Sequence, residues 1–345
     1  MTWRGPGFVD HHCRVLANAL GRRREPADVQ AWHRLVSERW STPLDEPVPP
    51  LELHDGTRGA IERALHQARE VGLVQVTEAA VDHPNVLEAL LELRAKHGEL
   101  PVRVRLLLAS GAADPKAMRR TGDPWLEVEG VVFAADGWLG TRTCALQRPF
   151  DDDEEAGRGI LFLDADTLAR RIDPFAEAGW TVATHAIGDR AVAEVLDAYE
   201  WVYGSDCASA APRLEHAQVL TPELIRRIAE LGVVVCIQPG AAVADLPDAR
   251  RALGDRADAA YRWDELLGAG VRVRTGSDTE PLAPLVGLER LCAGGNGAVT
   301  FPLDQALALM TDAAAGTVTL ADDPYATAED ELSQLQVDST DPTPQ

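Results

Sequence analysis

The strongest constraint on the fold is a rhythm that repeats along the chain. A short apolar run is followed by a polar or glycine-containing turn, and then by a longer amphipathic segment typical of a helix. The runs that predict buried parallel strands are residues 7–15, 72–79, 102–109, 128–135, 181–186, 213–219, 233–238 and 271–277. The predicted helices include residues 57–70, 85–97, 166–178, 190–201 and 221–231.

Alternating strands and helices imply parallel pairing through right-handed crossovers. Eight such strands favour an α/β fold of the (β/α)8 TIM-barrel type, for which 345 residues is an ordinary length. An open doubly wound sheet satisfies the same pattern and remains the alternative. Residues 22–50 interrupt the rhythm and predict a long insertion after the first strand, and the acidic segment 148–159 predicts a solvated loop.

The charge balance limits the partners that the chain can bind. A formal net charge of -22 would repel nucleic acid and anionic membranes, and no basic stripe offsets it. The five cysteines form no C-x-x-C pair, which argues against a disulfide framework or a cysteine zinc site. Since no signal peptide or membrane-spanning apolar stretch is evident, we expect a cytoplasmic protein with a small-molecule substrate.

Chemistry in a barrel of this type takes place at the carboxyl ends of the strands. Four of the predicted strands carry a metal-ligand residue type at that end: His12, His185, His216 and Asp278. A lone histidine at a strand end is more often structural, but four such residues at the same end of four strands favour one shared site. Three imidazoles and a carboxylate suit a divalent ion of the zinc type, with the carboxylate able to take a proton from water.

Several longer motifs resemble one enzyme family in their order along the chain. They are Pro6-Gly7-Phe8-Val9-Asp10, Ala135-Asp136-Gly137, Leu139-Gly140-Thr141-Arg142-Thr143, Thr184-His185-Ala186-Ile187-Gly188-Asp189, Leu214-Glu215-His216-Ala217, Ala260-Tyr261-Arg262-Trp263 and Gly276-Ser277-Asp278. Together they are similar to amidohydrolase family 3, in the branch that includes N-substituted formamide deformylase-like proteins. The resemblance extends over about residues 6 to 320.

This resemblance implies a metal-dependent hydrolase that acts on an amide-type, non-peptide C–N bond of a small molecule. It implies metal ligands at His12, His185 and His216, and a metal-binding general base at Asp278. His216 would also help to polarise the scissile carbonyl, and one divalent ion, zinc first, would activate the water. Residues 136–142, with Asp136 and Arg142 at their ends, would form part of the substrate wall.

The first strand departs from the family pattern. The family has His-x-His there, whereas this chain has His12-Cys13-Arg14, so a permanent cation takes the place of a ligand. We expect the Arg14 guanidinium to reach into the mouth, beside Asp278 and the substrate. Val132 stands where many members carry a lysine, which argues against a carbamate-bridged pair of metal ions and predicts at most one.

The ends of the chain also differ from the family pattern. Members usually add a small β-sandwich built from both termini, but here the first strand begins close to Met1. Residues 317–320 and 335–337 resemble remnants of that sandwich. We therefore expect a barrel over residues 1–316, and a remnant strand segment with an acidic, partly disordered tail over residues 317–345. An exposed edge of this kind could pair with a second copy to form a homodimer.

Three functional hypotheses follow. In the first, the chain is an active hydrolase with one metal ion. In the second, Arg14 supplies the positive charge, no metal binds, and the chain is a small-molecule binding or regulatory protein. A third, purely structural role has only the acidic surface and the shortened ends in its favour.

Overall fold

The computed structural model describes residues 2–19, 55–82, 85–278 and 282–343, so the insertion predicted over residues 22–50 lies outside the described residues. The strands in these ranges are β1 (Trp3–Cys13), β2 (Leu73–Val81), β3 (Arg103–Ala109), β4 (Leu126–Ala134), β5 (Thr181–Ala186), β6 (Arg213–His216), β7 (Val234–Ile237), β8 (Val273–Thr275), β9 (Thr311–Leu320) and β10 (Val337–Asp341). The helices are α1 (Val15–Ala19), α2 (Asp55–Glu70), α3 (Asn85–His97), α4 (Ala165–Glu177), α5 (Asp189–Tyr203), α6 (Cys207–Ala210), α7 (Pro222–Leu231), α8 (Pro239–Leu253), α9 (Trp263–Gly268), α10 (Pro284–Ala293) and α11 (Leu303–Met310).

The first eight strands form the predicted barrel. They lie side by side in chain order, and each pairs in parallel with the next. The ring closes where the end of β8 meets the end of β1: Asp278 N donates to His12 O at 2.7 Å, and Arg14 N donates to Asp278 O at 3.1 Å. The (β/α)8 fold expected from the repeating pattern is therefore confirmed.

The two halves of strand β1 pair with different strands. Its second half pairs with β2 inside the barrel, while its first half pairs antiparallel with β9, from Trp3 opposite Leu320 to Phe8 opposite Thr311. Strand β10 adds to the other edge of β9. The predicted boundary between residues 316 and 317 falls inside β9, and the division of the chain into barrel and remnant remains a prediction.

The end of β1 shows how one buried side chain sets an element boundary. The strand was expected to continue to Val15, but helix α1 begins there instead. Glu78 of β2 accepts hydrogen bonds from Leu16 N at 2.9 Å and Ala17 N at 3.0 Å, and so stabilises the first turn of the helix. Burial nevertheless raises the pKa of the Glu78 carboxyl to about 7.

Strands β2 to β5 carry a small cluster of apolar side chains that is separate from the main core. It consists of Ala80, Leu107, Ala109, Val132 and Ala183, all of them buried. Val132, at the position where a bridging lysine was considered, is therefore packed among aliphatic side chains. None of the helices in the described part of the chain is long and apolar enough to span a membrane.

The closure of the barrel depends on a glycine. A Cβ atom on Gly276 would lie 2.6 Å from both the Cβ and the carbonyl oxygen of His12. We expect Gly276→Ala to lower the free energy of unfolding by about 1–3 kcal/mol, because β1 and β8 must separate to make room for the methyl group. Gly268→Ala is the matched control, since nothing lies within 4 Å of its added Cβ. Urea unfolding of both variants measures the difference, and equal stabilities would contradict the prediction.

Candidate metal centre

Three of the four predicted ligands meet at the mouth of the barrel. His12 of β1, His216 of β6 and Asp278 after β8 each offer a ligand atom, and these atoms lie within 4.8 Å of one another. The His12 and His216 rings are 5.2 Å apart between centroids, and His12 Nε2 lies 3.5 Å from Asp278 Oδ1. Both histidines are only 4% exposed, so the site is enclosed by protein on most sides.

Backbone conformation marks the same positions. His216 has a φ of 77°, Ala217 a φ of 47° and Asp278 a φ of 51°, all in the left-handed region. Residues other than glycine rarely adopt this region, and each costs roughly 1 kcal/mol or more. Two of the three candidate ligands thus sit on strained backbone, which favours a functional constraint. It also explains why β6 ends at His216 and does not continue to residue 219.

His185, the fourth predicted ligand, lies beside the group of three but outside it. Its ring centroid is 4.4 Å from that of His216, and its Nε2 lies 3.0 Å from the carbonyl oxygen of Gly137. Because a carbonyl only accepts, Nε2 carries the hydrogen, and in the neutral ring Nδ1 is the acceptor. Burial and the neighbouring His216 hold the pKa of His185 well below its usual value, so this ring is neutral.

Two consecutive buried ion pairs orient the His12 ring. His12 Nδ1 lies 2.6 Å from Glu215 Oε2, and Arg213 Nη2 lies 2.8 Å from Glu215 Oε1. Arg213 Nη2 also donates to the carbonyl oxygen of His11 at 2.6 Å. Glu215 fixes the hydrogen on Nδ1 and leaves Nε2 to face Asp278, an arrangement common behind metal-binding histidines. Glu215 belongs to the motif Leu214-Glu215-His216-Ala217, but the motif alone does not predict this role.

These contacts set the charges at the site. Burial alone would lower the pKa of His12, but the Glu215 charge and the hydrogen bonds to Asp278 and Glu215 raise it to about 9. Burial would raise the pKa of Glu215, but Arg213 and His12 lower it to about 2. Burial would also raise the pKa of Asp278, but His12, His216 and Arg14 hold it well below its usual value. The site therefore contains two ionised carboxylates and a protonated His12 at neutral pH, and His12 must lose the proton on Nε2 to bind a metal ion.

Asp136, predicted to line the substrate wall, begins the loop of residues 136–142 that follows β4. Its side chain is completely buried. Its carboxylate accepts backbone N–H groups from Ala145 at 2.8 Å, Ile187 at 3.0 Å and Gly188 at 2.8 Å. Burial raises its pKa to about 7 despite these three bonds. Asp136 thus ties the loop after β4 to the end of β5 through backbone groups, and its Oδ1 also lies 3.7 Å from His185 Nε2.

Arg142, the other predicted wall residue, holds the same loop from outside. Its guanidinium bonds to Asp152 Oδ2 at 2.6 Å and to Asp248 Oδ2 of helix α8, also at 2.6 Å. Nη1 donates in addition to the carbonyl oxygen of Leu139 at 2.9 Å. The side chain that faces the site from this loop is Trp138, whose ring centroid lies 4.9 Å from that of His185. The loop thus presents an aromatic wall, and Arg142 fastens it to α8.

Arg14 follows directly after β1 and is half-buried. Its charge contributes to the lowered pKa of Asp278 and partly offsets the raised pKa of Glu78, which places the guanidinium in the field of both carboxylates. His12 Nε2 lies 3.5 Å from Asp278 Oδ1. The expected pairing of Arg14 with Asp278 therefore remains a prediction.

Comparison with known proteins gives a consistent picture. A model described as "Amidohydrolase family" matches residues 6–325. The protein YtcJ of Bacillus subtilis (strain 168), which is named as an amidohydrolase, is 34% identical over 241 residues, covering 66% of this chain and 45% of YtcJ. Protein LONG AFTER FAR-RED 3 of Arabidopsis thaliana is 31% identical over 157 residues, 45% of this chain and 27% of that protein. The chain thus spans less than half the length of these relatives.

Two solved structures share the fold. A crystal structure of an uncharacterized metal-dependent hydrolase from Pyrococcus furiosus superposes with a TM-score of 0.70 at 23% identity, covering 90% of this chain and 81% of that chain. A second, from Pyrococcus horikoshii OT3, gives a TM-score of 0.75 at 19% identity, covering 95% and 88%. Likeness at such low identity establishes the architecture alone.

Proposed function

The chain belongs to the amidohydrolase family, and we propose that it is a metal-dependent hydrolase that cleaves an amide-type, non-peptide C–N bond of a small molecule. The observation that carries the proposal is the convergence of His12, His216 and Asp278 within 4.8 Å at the barrel mouth. We further propose that it lies in the N-substituted formamide deformylase-like branch, with the first-strand ligand pair altered at Arg14.

The donor set fits one divalent ion, and zinc first. Two imidazole nitrogens and a carboxylate are typical of catalytic zinc sites, which keep a position open for water or substrate. His12 is already oriented by Glu215, and His185 stands next to His216 as a further nitrogen donor. An ion held there would lower the pKa of a water molecule and polarise a carbonyl group.

The residues of the chain supply the remaining functions. Asp278 is ionised and its side chain is 19% exposed, so its carboxylate can accept a proton from a water in the mouth. Burial lowers the pKa of His216 to about 4, so this ring is neutral and can bind the ion beside the scissile carbonyl. Trp138 offers an apolar wall against which the substituent of a small substrate can pack.

Metal content is the first test of the proposal. We expect protein purified without chelators to retain one equivalent of a divalent ion per chain at most, with zinc the ion retained. Asp278→Ala and His216→Ala should each lose it, since each removes one of the three donors. Elemental analysis after dialysis measures the content. Two equivalents surviving dialysis would contradict the proposed site, and none would favour the metal-free alternative built on Arg14.

The bond that is cleaved is the second test. We expect the zinc-loaded chain to release amine from N-substituted formamides or N-acyl amines, and not to hydrolyse dipeptides. In samples that elemental analysis shows to retain zinc, Asp278→Asn should lower kcat by about 10²–10⁴-fold, because it removes the group that takes the proton from water. Amine release can be followed by mass spectrometry over a panel of both substrate classes. Hydrolysis of dipeptides alone would contradict the proposed substrate class.

A further inference from the structure

The seam between β1 and β8 is closed only in part. Strand β9 pairs with β1 up to Phe8, and the backbone bridge to Asp278 begins at His12. Between these points, within the described residues, Val9 and Asp10 have no strand on that edge. The Asp10 carboxylate crosses the gap instead: Oδ1 accepts from His12 N at 3.1 Å and from Ser277 N at 3.2 Å.

A cavity of about 280 Å³ lies against this gap. Most of its surface is aliphatic, and its polar lining comes chiefly from Asp10, Thr275, Ser277 and Arg290. The apolar walls include Val9, Leu73, Pro239, Ala283, Val286 and Met310.

The cavity is on the outer side of the barrel wall. Thr275 Oγ1 donates to the carbonyl oxygen of Leu309 in α11, away from the barrel axis, whereas the neighbouring Gly276 faces His12. Side chains alternate along a strand, so Ser277 points outward with Thr275, and Asp278 points inward with the ligands. The cavity and the metal centre therefore lie on opposite sides of the same strand end. Asp10 shares the inward face of β1 with His12, and its carboxylate reaches the cavity through the gap between β1 and β8, where it accepts from Ser277 N.

Asp10 gives the cavity its chemical preference. It is 5% exposed and accepts two backbone N–H groups, and the charge of the neighbouring His12 acts on it from the side of the metal centre. On the side of the cavity, no lysine or arginine of the described ranges forms an ion pair with it. Each carboxylate oxygen can accept further hydrogen bonds. The one guanidinium in the lining, Arg290, donates to the carbonyl oxygen of Gly240 at 2.9 Å. A buried carboxylate of this kind gains most from a cation that brings its own hydrogen-bond donors.

We propose that this cavity is a second small-molecule site, which binds a primary alkylammonium ion with its chain among the aliphatic walls and its ammonium group on Asp10. The aliphatic lining provides the gain from apolar burial, and Asp10 selects the charge of the head group. The negative net charge of the chain favours cations at longer range as well. This proposal does not rest on the hydrolytic reaction proposed above, although Asp10 is bonded to the backbone of His12.

Calorimetric titration of the full chain with three probes of equal length tests the proposal. n-Hexylammonium is expected to bind at least about tenfold more tightly than n-hexanol, because its head group pairs with a charge. Hexanoate is expected not to bind measurably. Equal binding of the amine and the alcohol would overturn the role of Asp10. Tighter binding of hexanoate would place the recognition at Arg290 and overturn the proposal.

Two variants locate the probe. Asp10→Asn keeps the size of the side chain and removes its charge, so the preference for the amine over the alcohol should disappear. Val286→Trp fills the cavity from α10 and should abolish binding of both probes. Circular dichroism and thermal unfolding establish that each variant is folded. If folded Val286→Trp binds hexylammonium as tightly as the natural chain, the probe binds elsewhere, for instance at Asp278, and the proposal is wrong.

Discussion

Replacing Glu215 with glutamine is expected to lower the zinc affinity of the chain by about ten- to a hundredfold. Glu215 accepts the hydrogen on His12 Nδ1 at 2.6 Å and so directs Nε2 toward the site. A glutamine can present either its oxygen or its amide group to that nitrogen, and it brings no charge. The His12 ring would lose its fixed orientation and part of its basicity as a ligand.

The same substitution should destabilise the fold. Arg213 is buried and lies 2.8 Å from Glu215, so the variant leaves its charge without the buried counter-ion. Removing one partner of a buried ion pair typically costs about 3–5 kcal/mol. Urea unfolding of the chelator-treated protein measures this loss, and calorimetric zinc titration of the folded variant measures the change in affinity separately.

Glu78→Gln is the matched control. Glu78 is also a buried strand glutamate, but its hydrogen bonds go to the backbone of α1 and not to a candidate ligand. It should lower the stability and leave the zinc affinity within about threefold of the natural value, since no ligand changes its partner. If Glu215→Gln and Glu78→Gln bind zinc equally well, Glu215 does not position His12.

The placement of the ligands followed from local sequence, because strand periodicity and the strand-end rule need no long-range information. The chain pattern put His12, His216 and Asp278 at the ends of their strands, and the structure brings them together. Glu215 was not assigned a role, although an arginine and a glutamate two residues apart in a buried run are an available signal. Side chains two apart in a strand share a face, so both had to find partners inside the barrel.

The roles of the loop residues could not be predicted from strand periodicity. Arg142 is held by Asp248, 106 positions later in the chain, and Asp136 is satisfied by backbone groups near residue 187. Such partners depend on how the loops are folded over the barrel mouth, which periodicity does not encode. The gap between β1 and β8 at Asp10 arises only when the barrel closes, so it cannot be predicted from the sequence of either strand alone.

Arg14→His is expected to increase the zinc affinity by at least about tenfold over the natural chain. Arg14 N is bonded to Asp278 O at 3.1 Å, and the guanidinium charge contributes to the lowered pKa of Asp278. A divalent ion entering the group of His12, His216 and Asp278 must therefore work against a permanent positive charge. Histidine removes that charge at neutral pH and adds an imidazole donor, the ligand that zinc favours.

Arg14→Gln separates the two contributions, because it removes the charge and adds no strong donor. We expect its zinc affinity to lie between those of the natural chain and Arg14→His, with Asp278→Ala as the variant that lacks a ligand. Calorimetric titration of all four proteins gives the comparison. If the natural chain binds zinc as tightly as Arg14→His, the guanidinium points away from the site. If neither binds zinc, one substitution does not restore the centre, and the metal-free binding function becomes the better explanation of Arg14.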